Sequence, residues 1–202
     1  IADAEELQTI SMTASGESSD VNIGAIGGTT ASTALSSISL TATAGGEIDT
    51  GAITGSSANM SSVTISADGT NSDVTPGGAI TTGNGAITSV SLSASNRGNV
   101  DMTAGDLTVG SGLISNFSAT AASRGTLDLT GFASSSTSTQ TAGAYALSTS
   151  DRGSMTLGTL SLLTDGALTS LTVTVGEDST MAFGTGNVES AGTISTLSVS
   201  TA

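Results

Sequence analysis

The sequence predicts an all-β solenoid of about seven coils, with a period near 27 residues and roughly three short strands per coil. Three observations carry this. An apolar unit of the form Φ-x-x-Φ-x-Φ recurs eight times, opening at Leu7, Leu35, Met60, Ile87, Ile114, Ala142, Leu168 and Ile194, 25 to 28 residues apart. Its second position holds Ile10, Ile38, Val63, Val90, Phe117, Tyr145, Leu171 and Leu197, and its third Met12, Leu40, Ile65, Leu92, Ala119, Leu147, Val173 and Val199. Within and after each unit, apolar and polar residues alternate with period two, the pattern of a strand with one buried face. Finally, the core formers are Val, Ile, Leu and Ala; only three Phe and one Tyr are present, and thin β-coils need no more. A sustained period of this length marks units that bury their apolar faces on one another.

Taken in order, residues 1–6 (IADAEE) read as an acidic lead-in and residues 7–202 as a single solenoid domain. The first coil continues from Leu7 through Val21, Ile23 and Ile26, and the second through Ile48 and Ile53. In the third, Val74 precedes Pro76, the only proline; lacking an N–H for the ladder, it belongs at a strand end or corner. The fourth coil shows the unit most cleanly: Val90, Leu92 and Ala94, a turn at Asn96-Arg97-Gly98, then Val100 and Met102, then Leu107 and Val109. The fifth supplies Leu127, Leu129 and Phe132, followed by the low-complexity run 133–144, expected to be a corner loop. The sixth has Met155, Leu157, Leu160 and Leu162, the seventh Met181, Phe183 and Val188, and an eighth stops after one strand.

A corner follows the first strand of each coil. Eleven residues past the opening apolar position lie Ser18, Gly46, Asn71, Gly98, Gly125, Gly153 and Ser179, which predicts a left-handed residue in that slot. The slot before it holds Arg97, Arg124 and Arg152 on three consecutive coils, and these are the only cationic side chains of the chain. Coils stack about 4.8 Å apart, so like charges there require partners, for which Asp101, Asp128 and Asp151 are the nearest in sequence. The column reads first as a charge-balanced structural corner and second as a recognition stripe for an anionic ligand.

Net charge is −14, from 17 acidic residues against three arginines. That balance argues against nucleic acid as a partner and against anionic membrane surfaces, and no apolar run is long enough for a membrane-spanning helix, so no insertion is expected. With neither His nor Cys, the usual general base, nucleophilic pairs and soft-metal ligands are missing; with no Lys, so is Schiff-base chemistry. Carboxylates alone can hydrolyse glycosides, but the aromatic platforms and convergent charges such sites use are scarce. No enzyme activity and no cofactor are expected. Asp20, Asp49, Asp73, Asp101 and Asp128 recur near the second strand without a fixed ligand spacing, which predicts at most weak surface binding of calcium and no dedicated metal site.

The regular surface is polar. Between the buried positions of the first strand lie Ser37 and Ser39, Ser62 and Thr64, Ser89 and Ser91, Ser170 and Thr172, and Thr196 and Ser198. With their neighbours they predict an exposed hydroxyl face three columns wide. Such residues serve as uncharged filler or as a packing surface; the sharper alternatives are glycan adhesion and, below it, ice binding.

The Φ-x-x-Φ-x-Φ units, the GAI and GGAI turns (Gly24–Ile26, Gly51–Ile53, Gly77–Ile80, Gly85–Ile87) and the lysine-free acidic make-up resemble the repetitive β-solenoid segments of large bacterial surface proteins, namely adhesins, autotransporter passengers and S-layer-type proteins. The resemblance covers essentially the whole chain. It implies an extracellular or cell-surface location and a structural, non-catalytic module of a filament, stalk or lattice. The partners it implies are further repeats of a longer parent or identical subunits arranged head-to-tail, with a glycan as the alternative ligand.

Overall fold

A computed structural model of the chain describes residues 7–26, 35–55, 59–81, 85–103, 107–108, 112–130, 134–135, 141–158, 160–162, 167–183, 188–190 and 193–201, which form strands and no helix. The first coil contains β1 (Thr9–Ser15) and β2 (Asp20–Ile23), and the second β3 (Ser37–Thr43), β4 (Glu47–Thr50) and β5 (Ile53–Thr54). The third contains β6 (Met60–Asp68), β7 (Asp73–Pro76) and β8 (Ile80–Thr81), and the fourth β9 (Ile87–Ser95), β10 (Asn99–Asp101) and β11 (Leu107–Thr108). The fifth follows with β12 (Ile114–Ala122), β13 (Thr126–Leu129) and β14 (Ser134–Ser135), and the sixth with β15 (Thr141–Ser150), β16 (Ser154–Leu157) and β17 (Leu160–Leu162). The seventh has β18 (Ala167–Val175), β19 (Thr180–Phe183) and β20 (Val188–Ser190), and β21 (Ile194–Thr201) lies on top of it.

Strands at the same place in successive coils pair in parallel, giving sheets of eight, seven and six strands that wrap one core. This is a β-solenoid with a period near 27. The expected count of seven coils is slightly too high: among the described residues, six coils carry all three strands. Among the described residues the third side is the shortest, two or three residues per strand, and the first coil contributes to it through a bridge between Ile26 and Ile53. Within the span 133–144 expected to be a corner loop, Ser134–Ser135 instead forms β14 and Thr141 onward belongs to β15. Residues 133 and 136–140, the lead-in 1–6, Val109 and Phe132 lie outside the described residues.

Stacking follows the pattern read from the sequence. Ile10, Ile38, Val63, Val90, Phe117, Tyr145, Leu171 and Leu197 pair in register, as do Met12, Leu40, Ile65, Leu92, Ala119, Leu147, Val173 and Val199. Opposite them the second sheet contributes Val21, Ile48, Val74, Val100, Leu127, Met155 and Met181. Val90, Leu92, Val100 and Leu107 are buried, whereas Ser91 and Asp101 are only partly so and face outward. Phe117 and Tyr145 sit on adjacent coils with ring centroids 5.6 Å apart, and the Tyr145 hydroxyl donates to the Ile114 carbonyl at 3.1 Å. Burial pushes that phenol well above its ordinary pKa. Pro76 is the last residue of β7, at the strand end where a missing N–H is tolerated.

Two polar intrusions break the apolar columns. Ala14, Ala42, Ala67, Ala94 and Ala121 stack beside the corner, and Thr149 and then Val175 continue the same column. Thr149 is buried and its hydroxyl has no hydrogen-bond partner; Thr50 is in the same condition. An unsatisfied buried hydroxyl costs about 1–3 kcal/mol. Thr149→Val keeps the shape and matches Val175 above it, so it is expected to stabilise the fold by about 1 kcal/mol, roughly 2–4 °C in melting temperature for a chain of this size. A lower melting temperature for this variant would show that the hydroxyl is bonded.

Candidate functional site

The corner between the first and second sheets comes in two constructions. In coils two, four, five and six it has three residues, Ala44-Gly45-Gly46, Asn96-Arg97-Gly98, Ser123-Arg124-Gly125 and Asp151-Arg152-Gly153. Both leading residues have positive φ, from 50° to 88°, and the third N–H donates to the last carbonyl of the strand, as in Gly98 to Ser95 at 2.8 Å. That is the pattern of a type I′ turn. In coils one, three and seven the corner has four residues, Gly16-Glu17-Ser18-Ser19, Gly69-Thr70-Asn71-Ser72 and Gly176-Glu177-Asp178-Ser179. There the third residue has positive φ, between 54° and 65°, and the closing serine N–H donates to the leading glycine.

The sequence-based slot for the left-handed residue is therefore right at Ser18 and Asn71 and wrong elsewhere. In the three-residue corners positive φ falls one and two positions earlier, on Ala44 and Gly45, Asn96 and Arg97, Ser123 and Arg124, and Asp151 and Arg152; in coil seven it falls on Asp178 rather than Ser179. Gly46, Gly98, Gly125 and Gly153 are glycine for another reason. A Cβ on them would stand 2.4, 2.3, 2.2 and 2.0 Å from the carbonyl oxygens of Ala14, Ala67, Ala94 and Ala121.

Arg97, Arg124 and Arg152 thus occupy the second position of three successive, superposable turns. The backbone stacks as well: the Arg97 N–H donates to the Ser123 carbonyl at 3.2 Å, and that of Arg124 to Asp151 at 3.0 Å. Together with Thr70, Asn96, Ser123, Asp151, Glu177 and Asp178 they line an open groove of about 590 Å³. The ion pairing differs from expectation. Among the described residues the only ion pair joins Arg152 to Asp178 of the next coil, at 3.5 Å, with both side chains more than half exposed; such pairs are worth about 0–1 kcal/mol. Asp101 and Asp128 are turned to other work, because four residues past the arginine the chain has already entered the second sheet. Asp101 accepts from the Thr103 N–H, and Asp128 from the N–H and hydroxyl of Thr130. Asp151 does line the groove, beside Arg152. The sequence already puts Asp178, beside Glu177, in the slot that the arginines fill in the coils below; what it did not indicate is that Asp178, rather than Asp101, Asp128 or Asp151, pairs with Arg152.

Next to this corner the second sheet presents an acidic face. Asp20, Glu47 and Asp73 share one column, Asp101 pairs with Asp128 in the next, and Asp49 lies in that second column as well. Asp73 has its pKa raised, chiefly by burial and further by Asp101 and Asp49, against the opposing hydrogen bonds from Asn99 and Thr75. Glu47 is raised chiefly by Asp49, then by burial, Asp20 and Asp73. No group of three or more acids among the described residues is arranged to hold a metal ion. A carboxylate whose pKa is raised on folding binds its proton more tightly in the native state, so stability rises as pH falls through the folded-state value and levels off below the unfolded one, about 4. The melting temperature is expected to climb as pH falls from 7 towards about 4.5, and Asp73→Asn, which keeps an acceptor for Asn99, should flatten that climb. A melting temperature that only falls over this range would contradict the reading.

The hydroxyl-bearing residues expected to form an exposed face stack on the outside of the eight-stranded sheet, half-buried from β3 to β18 and exposed on β21. Ser37, Ser62, Ser89, Ser170 and Thr196 fall in one column with Thr9, Asn116 and Ala144; Ser39, Thr64, Ser91, Thr172 and Ser198 fall in the next with Ser11, Ser118 and Ala146. The third column, Thr13, Thr41, Ser66, Ser93, Thr120, Ser148, Thr174 and Ser200, keeps a hydroxyl on every strand of the sheet. Several hydroxyls are bonded to the coil below or above, as Ser93 to Ser66 at 3.1 Å and Thr120 to Ser148 at 3.0 Å, so part of the column's capacity is spent inside the sheet. No protein family matches the chain, and neither a curated protein nor a solved structure matches it.

Proposed function

We propose that the chain is a structural, non-catalytic module of an extracellular or cell-surface assembly, a filament, stalk or lattice extended by stacking β-coils. The observation that supports this is the exposed end at β21. That strand pairs with β18 on one side, and Leu197 and Val199, whose column mates are buried in coils two to seven, are 63% and 67% exposed; Phe183, in the last strand of the second sheet, is 45% exposed. An unpaired edge over bare apolar rows is a template for one more strand. The matching strand carries Φ-x-x-Φ-x-Φ, as Leu7, Ile10 and Met12 do, and the proposed partners are further repeats of a longer parent or identical subunits meeting head-to-tail. A contact of that kind that does not close on itself builds a fibre.

Light scattering and electron microscopy over rising protein concentration test it. Elongated particles are expected, and their loss in the Leu197→Asp, Val199→Asp double variant, which charges the edge without entering the core. A dispersed monomer at all concentrations would overturn the head-to-tail form of the proposal. The unbroken third hydroxyl column favours a second reading, a binding module for glycan or, below it, for ice; a glycan-binding screen and a thermal-hysteresis measurement decide it.

A further inference from the structure

The arginine corner carries a charge pattern of which the stacking of coils uses only the Arg152–Asp178 pair among the described residues. Arg97 and Arg124, in coils four and five, form the positive end of the groove, with neutral Thr70, Asn96 and Ser123 beside them. At the other end, coils six and seven bring Asp151, Glu177 and Asp178 against Arg152 alone, and Arg152 is already paired with Asp178. The groove is therefore dipolar along the solenoid axis. Its arginines are held in a left-handed backbone, φ from 66° to 70°, that costs about 1–2 kcal/mol for an ordinary L-residue, whereas coil two places Gly45 in the same slot at no such cost.

We propose that this corner is a lateral interface with a second copy of the chain, running antiparallel. Turning one corner about a two-fold axis between coils five and six lays Arg97 of one copy against Glu177 and Asp178 of the other, and Arg124 against the Asp151 turn. The reciprocal contacts follow from the symmetry. The choice of occupant comes from the chain's own charges. Arg97, Arg124 and Arg152 are its only cationic side chains, so a second copy can answer Glu177 and Asp178 only with this same column, inverted. The contact is side to side, and it stands independently of end-to-end stacking.

The test is made in the Leu197→Asp, Val199→Asp background, so that the open edge does not contribute, at about 0.15 M salt, where screening over about 8 Å subdues the repulsion between two acidic chains and spares contacting pairs. Sedimentation should show a concentration-dependent dimer. Arg97→Gly with Arg124→Gly should weaken it about tenfold or more while leaving the melting temperature equal or higher, because glycine suits the turn. Arg97→Glu with Arg124→Glu makes the corner wholly acidic at coils four and five, and Glu177→Arg with Asp178→Arg makes the other end basic. Each of these chains should be monomeric alone, and an equimolar mixture should form a heterodimer. A background chain that is monomeric at every concentration, a dimer unmoved by the arginine changes, or a mixture that stays as two monomers would each overturn the proposal.

Discussion

Leu92→Asp is expected to unfold the protein at room temperature, while Ser91→Asp, one residue away, should shift the denaturation midpoint little. Leu92 is 1% exposed, stacked between Ile65 and Ala119 and enclosed by the second sheet. Removing its side chain costs about 2–5 kcal/mol, and an unpaired carboxylate in the same place adds several more. The sum rivals the whole stability of a typical domain, about 5–15 kcal/mol. Ser91 sits in the outward column between Thr64 and Ser118, where a carboxylate reaches solvent. Circular dichroism and denaturant titration of the two variants give the comparison, and equal midpoints would overturn the inside–outside assignment.

Gly153→Ala should be the most damaging of the conservative changes. Its new Cβ would lie 2.0 Å from the Ala121 oxygen and 2.5 Å from the Ala121 carbon, both backbone atoms held in the eight-stranded sheet. Neither can give way as a side chain would, so the corner must move. Moving it strains the bonds from Gly153 to Ser150 and from Ser154 to Gly125, each 2.9 Å. A loss of about 3 kcal/mol, the upper range for overpacking, is expected. Gly24→Ala is the control, because a Cβ there meets nothing within 4 Å. Similar melting temperatures for the two variants would show that the close approach at coil six is not present in solution.

These two predictions draw on different levels of information. Leu92 and Ser91 could be assigned from the sequence, because a strand's side chains alternate and a repeat states the alternation eight times; no tertiary knowledge was needed to say which faces in. The period, the three sides of each coil, the arginine column and the hydroxyl face were legible for the same reason: each is a consequence of local spacing copied at a fixed interval. Gly153 was visible as a corner glycine, but its purpose was not. A sequence position that favours glycine does not say whether the demand is a left-handed φ or an approaching backbone, and only the placement of Ala121 beneath it decided for the second. Likewise Arg152 has acids at Asp151 and Asp128 in its own or the preceding coil, yet it pairs with Asp178, 26 residues later, because stacking makes the next coil's corner a nearer neighbour than residues along the chain. The number of coils with three strands among the described residues, and the unpaired hydroxyls of Thr50 and Thr149, were also settled by the tertiary structure. Periodicity states what a residue would face within an endless stack; whether a column takes in a misplaced hydroxyl, and which acid an arginine meets, depends on contacts between coils.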